Sequence, residues 1–245
     1  MQDRKSNTEK PKKQSSPSNL PPTAKAEVYM PRTINILYPP NKSKDGKGYS
    51  PFLRSLKSLQ TLKQWCVKKN PFAICFMYLI ESEIQVIHAN VEGIIQESAK
   101  IREDEKQRSG IELLWTEPTK KPRALSIKVT SPQSYYLMLL ITRFDMAERA
   151  CATLERCGIV GAHQLNRKMK ASGKDLNEFF HRSFGIEKLI IKNNLQDATF
   201  EKLKNEESVK KAKANLEKEI NQKMPEGVIT GDLKPIFHKT SITGK

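Results

Sequence analysis

Residues 120–144 of the chain are KKPRALSIKVTSPQSYYLMLLITRF, and within this stretch the hydrophobic pattern changes its period. From Leu125 to Val129 apolar and polar side chains alternate, which is typical of a half-buried strand. Ser131-Pro132 then provides a helix start, because serine caps a helix N-terminus and proline fits the first turn. Apolar residues follow at spacings of three and four as far as Gly158. The stretch therefore predicts a strand that leads directly into a helix.

Further helices are predicted by the same local signals. Ser50-Pro51 begins a helix that runs to about Lys69, and Asn70-Pro71 begins a second one with a long apolar stripe. Residues 162–184 have the same helical spacing, with Arg and Lys on the polar side. Residues 195–223 are also expected to be helical, but they are very polar and carry only a thin apolar stripe.

Two other segments have the pattern of short strands. In residues 31–38, PRTINILY, isoleucine alternates with polar residues, and residues 111–115 are a second candidate. With the helices, these segments predict a mainly α protein with a small antiparallel β-ribbon (α+β). A strand followed by a helix is also the order of a ribbon-helix-helix element, although the helix from Ser131 is longer than that compact fold uses.

Composition divides the chain into three parts. Residues 1–27 are rich in Lys, Ser, Pro and Asn and lack aromatic residues, which predicts a disordered basic tail. Residues 28–223 are expected to form one helical domain, and residues 224–245 an extended C-terminal tail. The thin apolar stripe on residues 206–223 predicts a helix that lies across the protein's surface or against a second subunit.

The charge points to a polyanionic partner. Forty-three Lys and Arg oppose 27 Asp and Glu, which gives a formal net charge of +16. Such a surplus favours nucleic acid first and an anionic membrane surface second. Aromatic residues make up only 7% of the chain, which argues against an RNA or single-strand binder, since stacking platforms need exposed rings. The apolar segment at residues 72–80 is too short to span a bilayer, and no secretory signal opens the chain. We therefore expect a cytoplasmic protein with no membrane partner.

No pattern in the sequence predicts catalysis. The chain lacks a glycine-rich phosphate loop and a GxSxG nucleophile turn. Its four cysteines and four histidines have no metal-ligand spacing, and each cysteine lies in an apolar stretch that predicts burial. The expectation is a protein that is not an enzyme and that has no cofactor and no metal site.

Two basic regions are candidates for contact with DNA. The predicted strand places polar side chains on one face, and a two-stranded ribbon can present such a face to base edges in the major groove. Basic groups before the strand and on the later helix can pair with phosphates. An alternative remains open for each region: the strand is an ordinary half-buried strand, and the basic cluster is a solvated helix face. The candidate DNA-binding residues are Lys120, Lys121, Arg123, Ser126, Lys128, Thr130, Arg167, Lys168 and Lys170.

The chain resembles the AcaB-type transcriptional regulators of conjugative plasmids and integrating conjugative elements. The likeness extends over roughly residues 30–238, and no single short motif carries it. Its first feature is the strand and serine-started helix of residues 123–158, with Tyr135, Leu139, Leu140, Ile141, Phe144 and Asp145. Three short segments follow it at similar distances: Phe184-Gly185-Ile186, PEGVITG at 225–231 and Pro235-Ile236-Phe237. The earlier strand at 33–37 also has a counterpart in the family.

The resemblance implies a regulator, and specifically an activator, of conjugative transfer genes that binds double-stranded DNA. We expect a homodimer, because symmetric dimers match palindromic operator half-sites. The alternative is a structural or accessory protein of the conjugation apparatus that binds a protein partner.

Overall fold

The computed structural model describes residues 22–39, 50–115 and 121–235 of the 245-residue chain. Two strands and eight helices lie in these ranges. In chain order they are β1 (Thr23–Val28), α1 (Pro31–Leu37), α2 (Pro51–Val67), α3 (Pro71–Ser109), β2 (Arg123–Lys128), α4 (Pro132–Arg156), α5 (Ala162–Lys192), α6 (Phe200–Asn205), α7 (Glu207–Ile220) and α8 (Glu226–Thr230). The predicted fold class, mainly α with a small antiparallel ribbon, is confirmed.

Helices α2 to α5 form the core of the protein. The ion pairs Glu83–Arg182 and Glu97–Lys168 show that α3 and α5 are antiparallel, because residue numbers rise on one helix as they fall on the other. Their inward faces bury a continuous set of apolar side chains with almost no exposed area. Burial of this surface is the main source of folding free energy.

Helices α3 and α4 are parallel, so the chain must cross back between them. The Gln133 amide donates to Glu81 at 2.7 Å, and the Arg143 Nε lies 2.9 Å from Glu92. Residue numbers therefore increase in the same direction along both helices. The return segment carries β2 along the bundle before α4 begins. The ribbon therefore lies on the outside of the core, beside helices that fix its position.

The three helices that begin with Ser-Pro or Asn-Pro start where the sequence predicts. The side chains of Ser50, Asn70 and Ser131 each accept a hydrogen bond from a backbone N–H two or three residues later, and proline follows each of them. These contacts satisfy N–H groups that have no partner within the helix. Local sequence is sufficient to set these boundaries.

The segment predicted as a strand at residues 31–38 is instead helix α1, so that prediction is wrong. Pro31 occupies the first turn, where its missing N–H costs nothing. The free N–H groups around this turn donate to two carboxylates of α4: Tyr29 and Met30 to Asp145, at 3.0 and 2.9 Å, and Arg32 and Thr33 to Glu148, both at 3.0 Å. Long-range acceptors thus stabilise a helix that the local pattern does not indicate.

The second strand of the ribbon comes from the predicted N-terminal tail. Residues 23–27, which the sequence assigned to the disordered tail, belong to β1 and pair antiparallel with β2. The predicted boundary of the tail at residue 27 is therefore too late in the chain. The sequence did not indicate β1 because its pairing partner, β2, lies about a hundred positions later. The segment at residues 111–115, predicted as a strand, has no regular secondary structure.

The C-terminal helices pack back onto the same chain. On α7, Leu216 is fully buried and Val209 and Ile220 lie against the core. The apolar stripe that suggested a subunit contact is thus covered by this chain itself. In the predicted extended tail, residues 226–230 form the short helix α8, which buries Val228.

Candidate nucleic-acid interface

The two strands present one polar face outward and one apolar face inward. On β2, Ser126 and Lys128 are exposed, whereas Leu125 and Ile127 are 2% and 5% exposed. The register pairs Ser126 with Lys25, and Lys128 with Thr23, on the neighbouring strand. Side chains that alternate along a strand share a face in this way. The outward face therefore combines two lysines with two hydroxyl groups.

The outward face also carries one acidic residue. Glu27 lies on β1 in the same alternation as Lys25, and its carboxylate accepts a 2.7 Å hydrogen bond from the Tyr29 hydroxyl. This contact, together with burial and the negative charge of Glu27, raises the pKa of Tyr29. Tyr29 thus stays a hydrogen-bond donor at neutral pH, and the lysines outnumber the acid on this face.

Contacts with the helices hold the ribbon in place. The ladder continues past β2, where Val129 N–H donates to the Pro22 carbonyl at 2.8 Å. The Lys63 ammonium group of α2 donates to the Thr130 carbonyl at 2.7 Å. On the other edge, β1 packs against α4. The ribbon is therefore held by α4 on the β1 side and by α2 just beyond the end of β2.

Not every candidate residue around β2 lies on the outward face. Arg123 has the inward alternation, and its guanidinium carbon lies 4.8 Å from the Tyr38 ring centroid, a cation–π distance. Thr130 is half-buried, and its hydroxyl lies 3.4 Å from the Ser134 hydroxyl at the start of α4. Lys121 is exposed just before β2, and Lys120 lies outside the described residues.

The second candidate cluster lies on α5 and is partly neutralised. Arg167, Lys168 and Lys170 are all exposed. Lys168 forms an ion pair with Glu97 of α3 at 2.6 Å, so part of its charge is already balanced. Helix α5 packs against α2, α3 and α4, whereas the ribbon packs through β1 on α4. The structure thus places the two candidate groups on separate elements.

The supporting residues that sequence reasoning missed are Asp145 and Glu148. Burial raises the pKa of each carboxyl group, while the hydrogen bonds from residues 29–33 act in the opposite direction. They fix the segment that joins β1 to α1. A signal was present in the sequence, because both acids lie beside the apolar stripe of α4, and a buried acid requires donors.

The cysteines are mostly core residues. Cys66, Cys75 and Cys151 are buried, and burial raises the pKa of each thiol to about 12. Cys157 is exposed, which contradicts its predicted burial, because it follows α4 at the helix C-terminus. The three buried thiols stay protonated and pack as small apolar groups.

One helix has the length and composition of a membrane span. Within α3 an 18-residue window has a mean hydropathy of 1.3, and 56% of that window is buried inside the protein. The core helix of a soluble protein has the same properties, so the segment is weak evidence for a membrane. Here its apolar face packs on α2, α4 and α5.

Comparison with known proteins identifies the family. The family model described as "Transcriptional regulator AcaB" matches residues 41–237, well over half of the chain. A crystal structure of selenomethionine-containing AcaB from uropathogenic E. coli is similar, with 18% sequence identity and a TM-score of 0.47; the match covers 81% of this chain and 98% of that chain. No curated protein matches the chain at a significant level.

Proposed function

The chain belongs to the AcaB family of transcriptional regulators, and we propose that it acts by binding double-stranded DNA in a sequence-specific way as an activator of conjugative transfer genes. The observation that carries this proposal is the outward face of the ribbon. Lys25 and Lys128 project from neighbouring strands, with Thr23 and Ser126 beside them. Lysine, serine and threonine all have hydrogen-bonding partners on base edges in the major groove.

The dimensions of the ribbon suit this role. A two-stranded antiparallel ribbon is narrow enough to enter the major groove, which is about 12 Å wide. The inward face is held by buried Leu125 and Ile127, so the ribbon cannot turn without exposing its apolar side chains. A fixed ribbon loses little conformational freedom when it binds, which favours affinity.

The other candidate groups have supporting roles in this proposal. Lys121, and Lys120 before it, would contact phosphates beside the ribbon, and Arg167 and Lys170 on α5 would do so at a second position. Arg123 and Thr130 support the strand through Tyr38 and Ser134. We expect a cytoplasmic homodimer, with an interface other than the covered stripe of α7.

The test is a gel-shift titration at low and at physiological salt. The probes are the upstream regions of transfer operons from the same genetic element, with a random duplex of equal length as the control. Binding to one operon fragment that survives excess random competitor supports the proposal. Equal binding to every duplex, lost steeply as salt rises, would show only nonspecific attraction by the +16 charge.

A further inference from the structure

Helix α2 carries a basic outer face without any acidic residue. Its sequence, PFLRSLKSLQTLKQWCV, has no Asp or Glu, and Lys68 and Lys69 follow it directly. Lys57, Gln60, Gln64 and Lys68 are exposed. Their spacing of three and four residues places them along one side of the helix, opposite the buried Leu59. The face therefore presents only cationic and neutral polar groups.

The lysines of this face are not neutralised within the described part of the chain. No carboxylate there forms an ion pair with Lys57 or Lys68. On α5, by contrast, Lys168 pairs with Glu97 and Lys174 lies 3.7 Å from Glu178. The charges of Lys57 and Lys68 are thus available to a polyanion.

Helix α2, which carries this face, is linked to the ribbon near both ends of β2. At one end of β2, Arg123 lies over Tyr38, and the preceding Leu37 carbonyl accepts from Ser50 at the start of α2. At the other end, Lys63 of α2 donates to the Thr130 carbonyl.

The two connections are consistent in length. The seven steps from Arg123 to Thr130 span about 23 Å of strand, and the thirteen steps from Ser50 to Lys63 span about 20 Å of helix. Strand β2 and helix α2 therefore run in the same direction, with the start of each near the start of the other and Lys63 of α2 bonded to Thr130 just after β2.

We infer that the outer face of α2, with Lys57 and Lys68 at its two ends, binds the phosphate backbone of the same DNA duplex that the ribbon contacts. This inference rests on the proposed function. Lysine is a point charge that pairs with phosphate without reading sequence, and the glutamine amides can donate to phosphate oxygens. Helix α2 thus fixes the position of the duplex, and the ribbon supplies contacts to the bases.

The experiment is a fluorescence-anisotropy titration of the full chain with an operon fragment and with random duplex, each over a series of salt concentrations. The test variant is Lys57→Gln/Lys68→Gln. The matched control is Lys100→Gln/Lys204→Gln, which removes two exposed charges from α3 and α6. Thermal melts establish that both variants are folded, since all four side chains are exposed.

The expected result is that the test variant loses affinity for both duplexes by the same factor. The slope of log K against log salt decreases by about two, because each lost phosphate contact removes about 0.9. The control changes the slope by much less. A Lys57→Arg/Lys68→Arg variant keeps the wild-type slope, since arginine also pairs with phosphate.

Two results would overturn the inference, and they are distinguishable. If the test variant matches the control while Lys128→Ala still weakens binding, α2 does not contact the duplex and the proposed function stands. If the wild-type chain binds no duplex even at low salt, the proposed function fails and the inference fails with it.

Discussion

Replacement of Glu148 by alanine should destabilise the fold strongly, because this carboxylate joins two distant parts of the chain. Its Oε1 accepts from Arg32 N–H at 3.0 Å, and its Oε2 accepts from the N–H and the hydroxyl of Thr33 at 3.0 and 3.1 Å. Glu148 is 7% exposed and Thr33 is fully buried. Alanine would leave three donors around the first turn of α1 without their acceptor.

The magnitude follows from the cost of buried donors without partners. Each costs about 1–3 kcal/mol when its acceptor is removed. Water can reach the Arg32 side of the turn, since Arg32 is only half-buried. We therefore expect the free energy of unfolding to fall by about 3–5 kcal/mol. Glu148→Gln keeps one acceptor oxygen and should lose less.

The assay is urea denaturation followed by circular dichroism, with Glu226→Ala as the control at an exposed carboxylate near the C-terminus. The control should change the free energy of unfolding by less than about 0.5 kcal/mol. A loss below about 1 kcal/mol for Glu148→Ala would mean that α1 does not depend on these bonds.

Three further predictions concern stability. Burial raises the folded-state pKa of Asp145 above its unfolded value, so the folded state binds extra protons as the pH falls. In urea denaturation between pH 7 and pH 4, the stability of the wild type should therefore rise relative to that of Asp145→Asn. A relative loss of stability would show that the hydrogen bonds from residues 29 and 30 outweigh the effect of burial. Leu216→Ala should lower the free energy of unfolding by about 2–5 kcal/mol and leave the mass in sedimentation unchanged; a change of mass would restore α7 as a subunit interface. Ser131→Ala should cost about 1 kcal/mol by loss of its cap on α4 in thermal melts, and no effect would mean that Pro132 alone sets the helix start.

Features that depend on neighbouring residues were predictable from the sequence. The serine and asparagine caps bond to N–H groups two or three residues away, so the starts of α2, α3 and α4 could be located. The alternation in β2 likewise gave its buried and exposed faces. Both signals operate within a few residues, which is the range that a sequence pattern contains.

Features that depend on distant partners were not predictable. Helix α1 looks like a strand because Ile34 and Ile36 alternate with polar residues, yet its acceptors lie more than 110 positions later in the chain. Strand β1 has the weak pattern TAKAEV and gains its structure by pairing with β2. The link between α2 and the end of the ribbon depends on Lys63 and Thr130, which no spacing rule connects.

The candidate DNA contacts divide in the same way. Ser126 and Lys128 were placed on the outer face by alternation alone, and the structure has them exposed. Arg123 follows the opposite alternation, which the sequence also contained, but its stacking on Tyr38 required the fold. The pairing of Lys168 with Glu97 likewise depends on the packing of α3 against α5.

DNA binding by the ribbon is tested most directly by a titration of Lys128→Ala against wild type and Lys100→Ala, on an operon fragment and on random duplex over a salt series. Lys128→Ala should weaken binding and lower the salt slope by about one, while Lys100→Ala should behave as wild type. A larger loss of affinity for the operon fragment than for random duplex would indicate that Lys128 contacts a base as well as a phosphate. Unchanged affinity of Lys128→Ala for both duplexes would contradict the claim that the ribbon binds DNA.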